Sequence, residues 1–175
     1  ESIKAIANAL NKVEDLCDIV LDPVMISKSG FNLLSPDAKE TLVKELFPLA
    51  TLITPNLPEA EEILGVEIKN LEQMKDAAKK LIELGPKAVL VKGGHLEDDA
   101  TDLLYDGNEF VLFPQERINT THTHGTGCTL SSAIAANIAK KMNIKDAVGE
   151  AKNYITGAIK NGFEFGKGVA ETPDL

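Results

Sequence analysis

The chain has 175 residues, of which 43% are hydrophobic and 26% charged, and its formal net charge is -9 at pH 7. This composition is typical of a soluble globular protein, and the length predicts one domain over residues 1–175. The negative charge argues against nucleic-acid binding, which needs clustered Lys and Arg. With no run of about 20 apolar residues and no signal-peptide layout, we expect no membrane contact and a cytoplasmic protein.

Helical and strand patterns alternate along the chain. Helical spacing predicts a helix over Ser2–Val13, and a short apolar run predicts a strand over Asp18–Leu21. Ser35 and Pro36 give the N-cap and first-turn proline of a helix that reaches about Phe47. The remaining predicted elements are a strand over 50–54, helices over 57–64 and 71–84, a strand over 88–91, two strands over 101–105 and 110–113 joined by the hairpin turn Asp106-Gly107-Asn108, and helices over 129–141 and 144–161.

Three of these strands, Ile19–Leu21, Leu52–Ile53 and Val89–Val91, are continuous apolar runs. Such runs are typical of strands that helices cover on both faces, so the pattern predicts an α/β protein with a mainly parallel central sheet. Ligands of such sheets bind beyond the carboxyl ends of the strands. We therefore expect the polar residues that follow the strands to gather at one edge: Asp22, Asn56 with Glu59, Lys92 and the Gly125–Cys128 turn.

A glycine-flanked turn, His124-Gly125-Thr126-Gly127-Cys128-Thr129, precedes the apolar-periodic run 130–139 and is predicted to open a helix. The first N–H groups of a helix have no intrahelical partner and carry the positive end of its dipole, so they attract an anion. The same field favours the thiolate form of a cysteine, which makes Cys128 a candidate proton acceptor. A simple helix-start turn with an incidental buried cysteine is the alternative. Two carboxylates, a lysine and these N–H groups together describe a magnesium nucleotide site.

Four motifs follow one another along the chain. They are Asp22-Pro23-Val24-Met25 with Ser27-Lys28-Ser29-Gly30, then Thr54-Pro55-Asn56-Leu57-Pro58-Glu59-Ala60-Glu61, then Val91-Lys92-Gly93-Gly94-His95, and finally His124 to Thr129. Their order resembles the hydroxymethylpyrimidine and hydroxymethylpyrimidine-phosphate kinases of thiamine synthesis, within the ribokinase-like superfamily. The resemblance implies a three-layer α/β/α fold with a mainly parallel central sheet. It also implies ATP-dependent phosphorylation of 4-amino-5-hydroxymethyl-2-methylpyrimidine and its monophosphate.

On the nucleotide side, the resemblance implies that Cys128 accepts the proton of the substrate hydroxymethyl group. The N–H groups of Gly125, Thr126 and Gly127 would contact the transferring phosphoryl group, and Thr126 would also help to bind the nucleotide. Lys92 would contact the nucleotide phosphates, unless it is an ordinary surface lysine.

On the metal and acceptor side, Glu59 would hold Mg²⁺ directly or through water, together with Asn56 three residues before it. Asp22 would assist the metal or the acceptor site, with capping of a strand end as the alternative. Val24 and Met25 would line the pyrimidine pocket or belong to the core. Cys17 is expected to be a small core residue.

The chain departs from the resemblance at its front. Members of that family begin with a strand and a Ser- and Gly-rich loop that helps to hold the pyrimidine, and this sequence starts in the helix that precedes the Asp22 strand. We therefore expect the domain to be N-terminally incomplete relative to the family and prone to self-association. Two other functions stay open, a pyridoxal or pyridoxine kinase and a non-catalytic binding or regulatory domain that retains the fold.

Overall fold

Alternating helices and strands build the first unit of the protein, Glu1–Gln115, and a helix pair lies in the second unit, Glu116–Leu175. The structure is a computed structural model, and it describes residues 1–26, 32–93, 101–114 and 125–161. In chain order the elements are α1 (Ser2–Leu10), β1 (Val20–Leu21), α2 (Pro36–Thr41), β2 (Leu52–Ile53), α3 (Leu57–Leu64), α4 (Leu71–Ile82), β3 (Val89–Val91), β4 (Asp102–Tyr105), β5 (Phe110–Phe113), α5 (Thr126–Ala139) and α6 (Ile144–Lys160).

The strands form one mixed sheet in the order β1-β2-β3-β4-β5. The first three strands are parallel, with Val20 opposite Leu52 and Ile53 opposite Val89. β4 is antiparallel to β3 and forms a hairpin with β5. The α/β class is therefore confirmed, with the parallel strands at the start of the sheet and the predicted hairpin at its end.

The hairpin turn and the start of α2 follow the sequence pattern closely. Asp106 accepts hydrogen bonds from the N–H groups of Asn108 and Glu109, both at 2.9 Å, and Gly107 supplies the positive φ of the turn. The Ser35 side chain caps α2, whose first turn contains Pro36. These elements form where predicted because local side chains satisfy their backbone groups.

The predicted helix up to Phe47 is not α-helical throughout. α2 ends at Thr41 and continues as a π-helical segment, Leu42–Leu46, and a 3-10 segment, Phe47–Leu49. Pro48 has no N–H group to donate, so it suits the first turn of the 3-10 segment and not the interior of an α-helix.

The core of the first unit lies around β2, β3 and the apolar face of α4. Leu52, Ile53 and Val89–Val91 are fully buried, and Met74 and Leu81 of α4 are equally inaccessible. β1 is only half-buried and is one of the two edge strands of the described sheet, with β5 at the other edge. Its apolar run therefore does not mark a strand covered on both faces, unlike those of β2 and β3.

Two expectations at the front of the chain are wrong. α1 ends at Leu10 and not at Val13, which is half exposed, so burial does not favour extending the helix to it. Cys17 is exposed and is not a core residue.

In the second unit, α5 and α6 pack against each other. The side chain of Asn137 on α5 donates to the Ala147 carbonyl on α6 at 3.2 Å, and Asn143 caps α6 by accepting from the Asp146 N–H group at 2.9 Å. Among the described residues, no helix has the length and apolar character to cross a membrane.

Candidate functional site

Three side chains meet where β1, β2 and β3 end in the first unit. Asp22 follows β1, Thr54 follows β2 and Lys92 follows β3. Lys92 Nζ lies 2.8 Å from Asp22 Oδ1, and the hydroxyl group of Thr54 donates to the same oxygen at 2.9 Å. The two ionic side chains are only 17% and 12% exposed. The structure thus brings Asp22 and Lys92 together as a largely buried ion pair at the carboxyl ends of the parallel strands.

Asn56 and Glu59 fix the start of α3 through a capping box. The Asn56 side chain accepts from the Glu59 N–H group at 2.8 Å, and Glu59 Oε2 accepts from the Asn56 N–H group at 2.9 Å. Glu59 Oε1 accepts a longer bond, 3.4 Å, from the N–H group of Met25 in the segment after β1. Two residues expected to bind ligands therefore have a structural task, which is to join α3 to that segment.

Burial raises the pKa of Glu59 above its ordinary value, because the carboxylate is 2% exposed and has lost its hydration. The N–H group of Asn56, the charge of Lys92 and the N–H group of Met25 oppose that shift, whereas the nearby charge of Asp22 adds to it. Asp22 is therefore close enough to influence the protonation of Glu59.

These carboxylates fit a magnesium ion that keeps part of its water shell. Within the described ranges no three His, Cys, Asp or Glu residues cluster to enclose a metal. Mg²⁺ commonly takes only one or two carboxylates and completes its shell with water and substrate phosphates. The contacts described for Asp22 both fall on Oδ1 and leave Oδ2 for a ligand, whereas each oxygen of Glu59 already accepts a backbone bond. A water-mediated contact suits Glu59 better than a direct one.

Val24 and Met25 differ in environment, although both were candidates for lining an acceptor pocket. Met25 is 2% exposed and packs in the core of the first unit, whereas Val24 is 46% exposed. Only the side chain of Val24 is available to a ligand in this arrangement.

The glycine turn lies in the second unit, at the start of α5. Gly125 is the N-cap with φ +76, and its carbonyl accepts from the Thr129 N–H group at 2.9 Å. Thr126, Gly127 and Cys128 form the first turn, so their N–H groups lie ahead of the helical hydrogen-bond ladder. Cys128 is exposed. The helix begins three residues before the predicted Thr129, which places the thiol within its first turn.

Seven other positions from the motifs lie outside the described residues. They are the Ser27–Gly30 segment, Gly94, His95 and His124.

Residues 1–173 match the model of the family described as phosphomethylpyrimidine kinase. The chain belongs to the phosphomethylpyrimidine kinase family. Among curated relatives, the hydroxymethylpyrimidine/phosphomethylpyrimidine kinase of Aquifex aeolicus is 50% identical over 151 residues, 86% of this chain and 59% of its own. The thiamine biosynthesis bifunctional protein ThiED of Geobacter sulfurreducens is 46% identical over 96% of this chain and 34% of its own. The pyridoxine kinase of Bacillus subtilis is 42% identical over 92% of this chain and 60% of its own.

Solved structures of this family and of pyridoxal kinases share the fold. The phosphomethylpyrimidine kinase of Clostridium difficile has a TM-score of 0.79 and 48% identity over 90% of this chain and 63% of its own. The pyridoxal kinase of Staphylococcus aureus in complex with ADP has a TM-score of 0.88 and 34% identity over 98% of this chain and 62% of its own. The ribokinase-like α/β fold is therefore confirmed, and the chain spans between about one third and two thirds of the length of these relatives.

Two polar residues of this kinase-family site were missed by the sequence patterns. Thr54 was the end of a predicted strand and the first residue of a motif, with no role assigned to it, and it donates to Asp22. Asp102 was placed inside an apolar strand, and its carboxylate accepts from the Gly93 N–H group at 2.9 Å. A threonine that directly follows an apolar strand was the available signal for Thr54. The partner of Asp102 lies nine positions away, and no local pattern indicates it.

Proposed function

We propose that the protein transfers the γ-phosphoryl group of ATP to the hydroxymethyl group of 4-amino-5-hydroxymethyl-2-methylpyrimidine, and a second phosphoryl group to the resulting monophosphate, in thiamine diphosphate synthesis. The observation that carries the proposal is the Asp22–Lys92 pair at the carboxyl ends of β1 and β3, in a chain of the phosphomethylpyrimidine kinase family. Parallel α/β sheets bind ligands at that edge. Relatives named as kinases for this pyrimidine are 42–50% identical to the chain.

Lys92 is the group that would bind the nucleotide phosphates. Its ammonium is held by Asp22 at the end of β3, and its backbone N–H group donates to the Pro55 carbonyl at 2.8 Å. A fixed main chain with a flexible four-carbon side chain lets the ammonium turn from the carboxylate to a phosphate. Asn56 forms an isolated parallel β-bridge with Lys92. From the start of α3, Asn56 would contact the nucleotide.

Asp22 and Glu59 would hold Mg²⁺, the former through Oδ2, on which none of the contacts described for Asp22 falls, and the latter through water. When bound, the ion supplies positive charge that neutralises the phosphates during transfer.

In the second unit, the first turn of α5 supplies the groups for the transfer itself. The N–H groups of Gly125, Thr126 and Gly127 would stabilise the charge on the phosphoryl oxygens. Cys128 would take the hydroxyl proton of the acceptor. The acceptor oxygen then bonds to the γ-phosphorus, the bond from that phosphorus to the bridging oxygen breaks, and ADP leaves with the electron pair.

Pyridoxal is the second candidate acceptor, because it too carries a ring hydroxymethyl group. Pyridoxal kinases reach TM-scores of 0.82 to 0.88 with this chain, above the 0.79 of the phosphomethylpyrimidine kinase structure. Sequence identity favours the pyrimidine, at 48% for that kinase against 33–39% for the pyridoxal kinases. We give more weight to identity, because acceptor choice depends on individual side chains and not on the shared fold.

The remaining parts of the proposal concern the setting of the reaction. We place it in the cytoplasm, in keeping with two cysteines that are both free thiols. We also propose self-association through the edge strand β1, whose outer side is the unpaired border of the described sheet.

The deciding experiment measures phosphoryl transfer by the full-length protein with three acceptors: the hydroxymethylpyrimidine, its monophosphate and pyridoxal. We expect kcat/KM to be highest for the two pyrimidines. A higher value for pyridoxal would reassign the substrate, and Mg-ATP binding without transfer to any acceptor would establish a non-catalytic binding domain instead.

A further inference from the structure

A buried carboxylate lies close to the sheet edge where the nucleotide is proposed to bind, and it has no role in the function proposed above. Asp102 begins β4 and is 7% exposed. Its Oδ1 accepts a hydrogen bond of 2.9 Å from the N–H group of Gly93, the residue after Lys92. Burying a carboxylate is unfavourable unless hydrogen bonds compensate for its lost hydration, so this bond has a defined task in the fold.

The strand register shows what that task is. β3 and β4 pair with Val91 opposite Leu103, and one further step along the same register places Lys92 opposite Asp102. On the other side of β3, the Lys92 N–H group donates to the Pro55 carbonyl. At the point where β3 ends, the Asp102 side chain therefore accepts a backbone N–H hydrogen bond in place of a carbonyl group of the regular strand ladder.

The approach of the two backbones at this point is very close. A side-chain carbon added at Gly93 would lie 1.8 Å from the Thr101 carbonyl oxygen, so only glycine fits there. Asp102 and Gly93 together hold the chain that carries Lys92 against β4. A hydrogen bond to an ionised carboxylate is stronger than a neutral one, which suits a clamp on the main chain.

We propose that Asp102 is a positioning residue for nucleotide phosphates, acting through the Gly93 N–H group to fix the backbone from which Lys92 extends. The inference rests on the proposed role of Lys92 in nucleotide binding. It predicts that losing Asp102 weakens the binding of phosphates and leaves the binding of the nucleoside part unchanged.

The test measures dissociation constants of the full-length protein for ATP and for adenosine by calorimetry, in Asp102→Ala, Asp102→Asn and Lys92→Met. Asp106→Ala is the matched control, because Asp106 also accepts backbone N–H bonds, in the same hairpin but at its far end. Far-UV circular dichroism at the assay temperature confirms that each variant is folded.

We expect Asp102→Ala to weaken ATP binding roughly tenfold, as loss of one hydrogen bond to a charged group would, with adenosine binding and the Asp106→Ala control unchanged. Asp102→Asn keeps an oxygen acceptor and should retain most of the ATP affinity. In the Lys92→Met background, Asp102→Ala should have less than about a twofold further effect, because coupled residues are not additive.

Three results would overturn the inference alone. They are an equal loss of adenosine affinity, an undiminished effect of Asp102→Ala in the Lys92→Met background, and an Asp102→Asn variant as weak as Asp102→Ala. If Lys92→Met itself leaves ATP affinity unchanged, the proposed role of Lys92 fails first, and the role of Asp102 fails with it.

Discussion

Replacing Gly93 by alanine tests how tightly the end of β3 is held. The added carbon would lie 1.8 Å from the Thr101 carbonyl oxygen, 2.9 Å from its carbonyl carbon and 3.2 Å from the Met74 side chain. Carbon–oxygen contacts in proteins are about 3.3 Å or longer, so the two backbones must separate by roughly 1.5 Å. The Met74 side chain can move aside, whereas the carbonyl group of Thr101 is part of the main chain and cannot.

The free-energy cost has two parts. Overpacking a tight site costs about 1–3 kcal/mol. Separation also breaks the bond from the Gly93 N–H group to the buried Asp102 carboxylate, which costs about 1–3 kcal/mol more. The two parts add to a total of about 4 kcal/mol at the middle of their ranges, which corresponds to a fall in Tm of roughly 8–16 °C for a protein of this size.

The assay is thermal unfolding followed by circular dichroism, combined with ATP titration below the transition. Gly157→Ala is the matched control, because nothing lies within 4 Å of the added carbon and the position is inside α6. Alanine favours helix over glycine, so this variant should be as stable as the parent or slightly more stable. A Gly93→Ala variant with the Tm and ATP affinity of the parent protein would refute the close approach and the clamp on Lys92.

Two further substitutions test the proposed chemistry and the buried carboxylate. Cys128→Ala should lower kcat by roughly 10² or more with little change in ATP affinity, because a general base acts in the transition state; steady-state kinetics with an unchanged kcat would remove Cys128 from the mechanism. Glu59→Gln should raise the Mg²⁺ concentration needed for half-maximal rate, and an unmoved curve would make the metal assignment wrong. Because the pKa of Glu59 is raised in the folded protein, its contribution to stability is fully present below its ordinary pKa of 4.5 and is lost as pH rises through the raised value. The free energy of unfolding, measured with urea across that pH range, should therefore fall with rising pH in the parent protein and not in Glu59→Gln. An equal pH dependence of the two unfolding free energies would contradict the burial effect.

Elements with local signals were predictable from the sequence. The bounds of α3 agree with the prediction, because Asn56 and Glu59 form the cap at one end and Gly65 adopts the left-handed conformation just past the other. β5 agrees as well, since the Asp106-Gly107-Asn108 turn fixes where the hairpin reverses.

Features that depend on distant partners were not predictable. The change from α-helix to π-helix at Leu42 has no Gly or Pro at that point of the sequence to indicate it. Met25 could be pocket or core by sequence alone, and it is core because α3 holds its backbone through Glu59. Asp22 and Lys92 were expected at one edge of the sheet. They are 70 positions apart in the sequence, however, and no motif predicts the ion pair between them.

The double attachment of Glu59 also limits how this site can change during evolution. One carboxylate fixes both the start of α3 and the segment after β1, so a substitution at this position would alter local stability together with the metal binding proposed for it. A lineage that adapts to a different ring substrate meets that constraint at residue 59 and not at Val24, whose side chain is exposed. Divergence in acceptor preference is therefore expected to accumulate at positions such as Val24, while the carboxylate that joins the two segments persists.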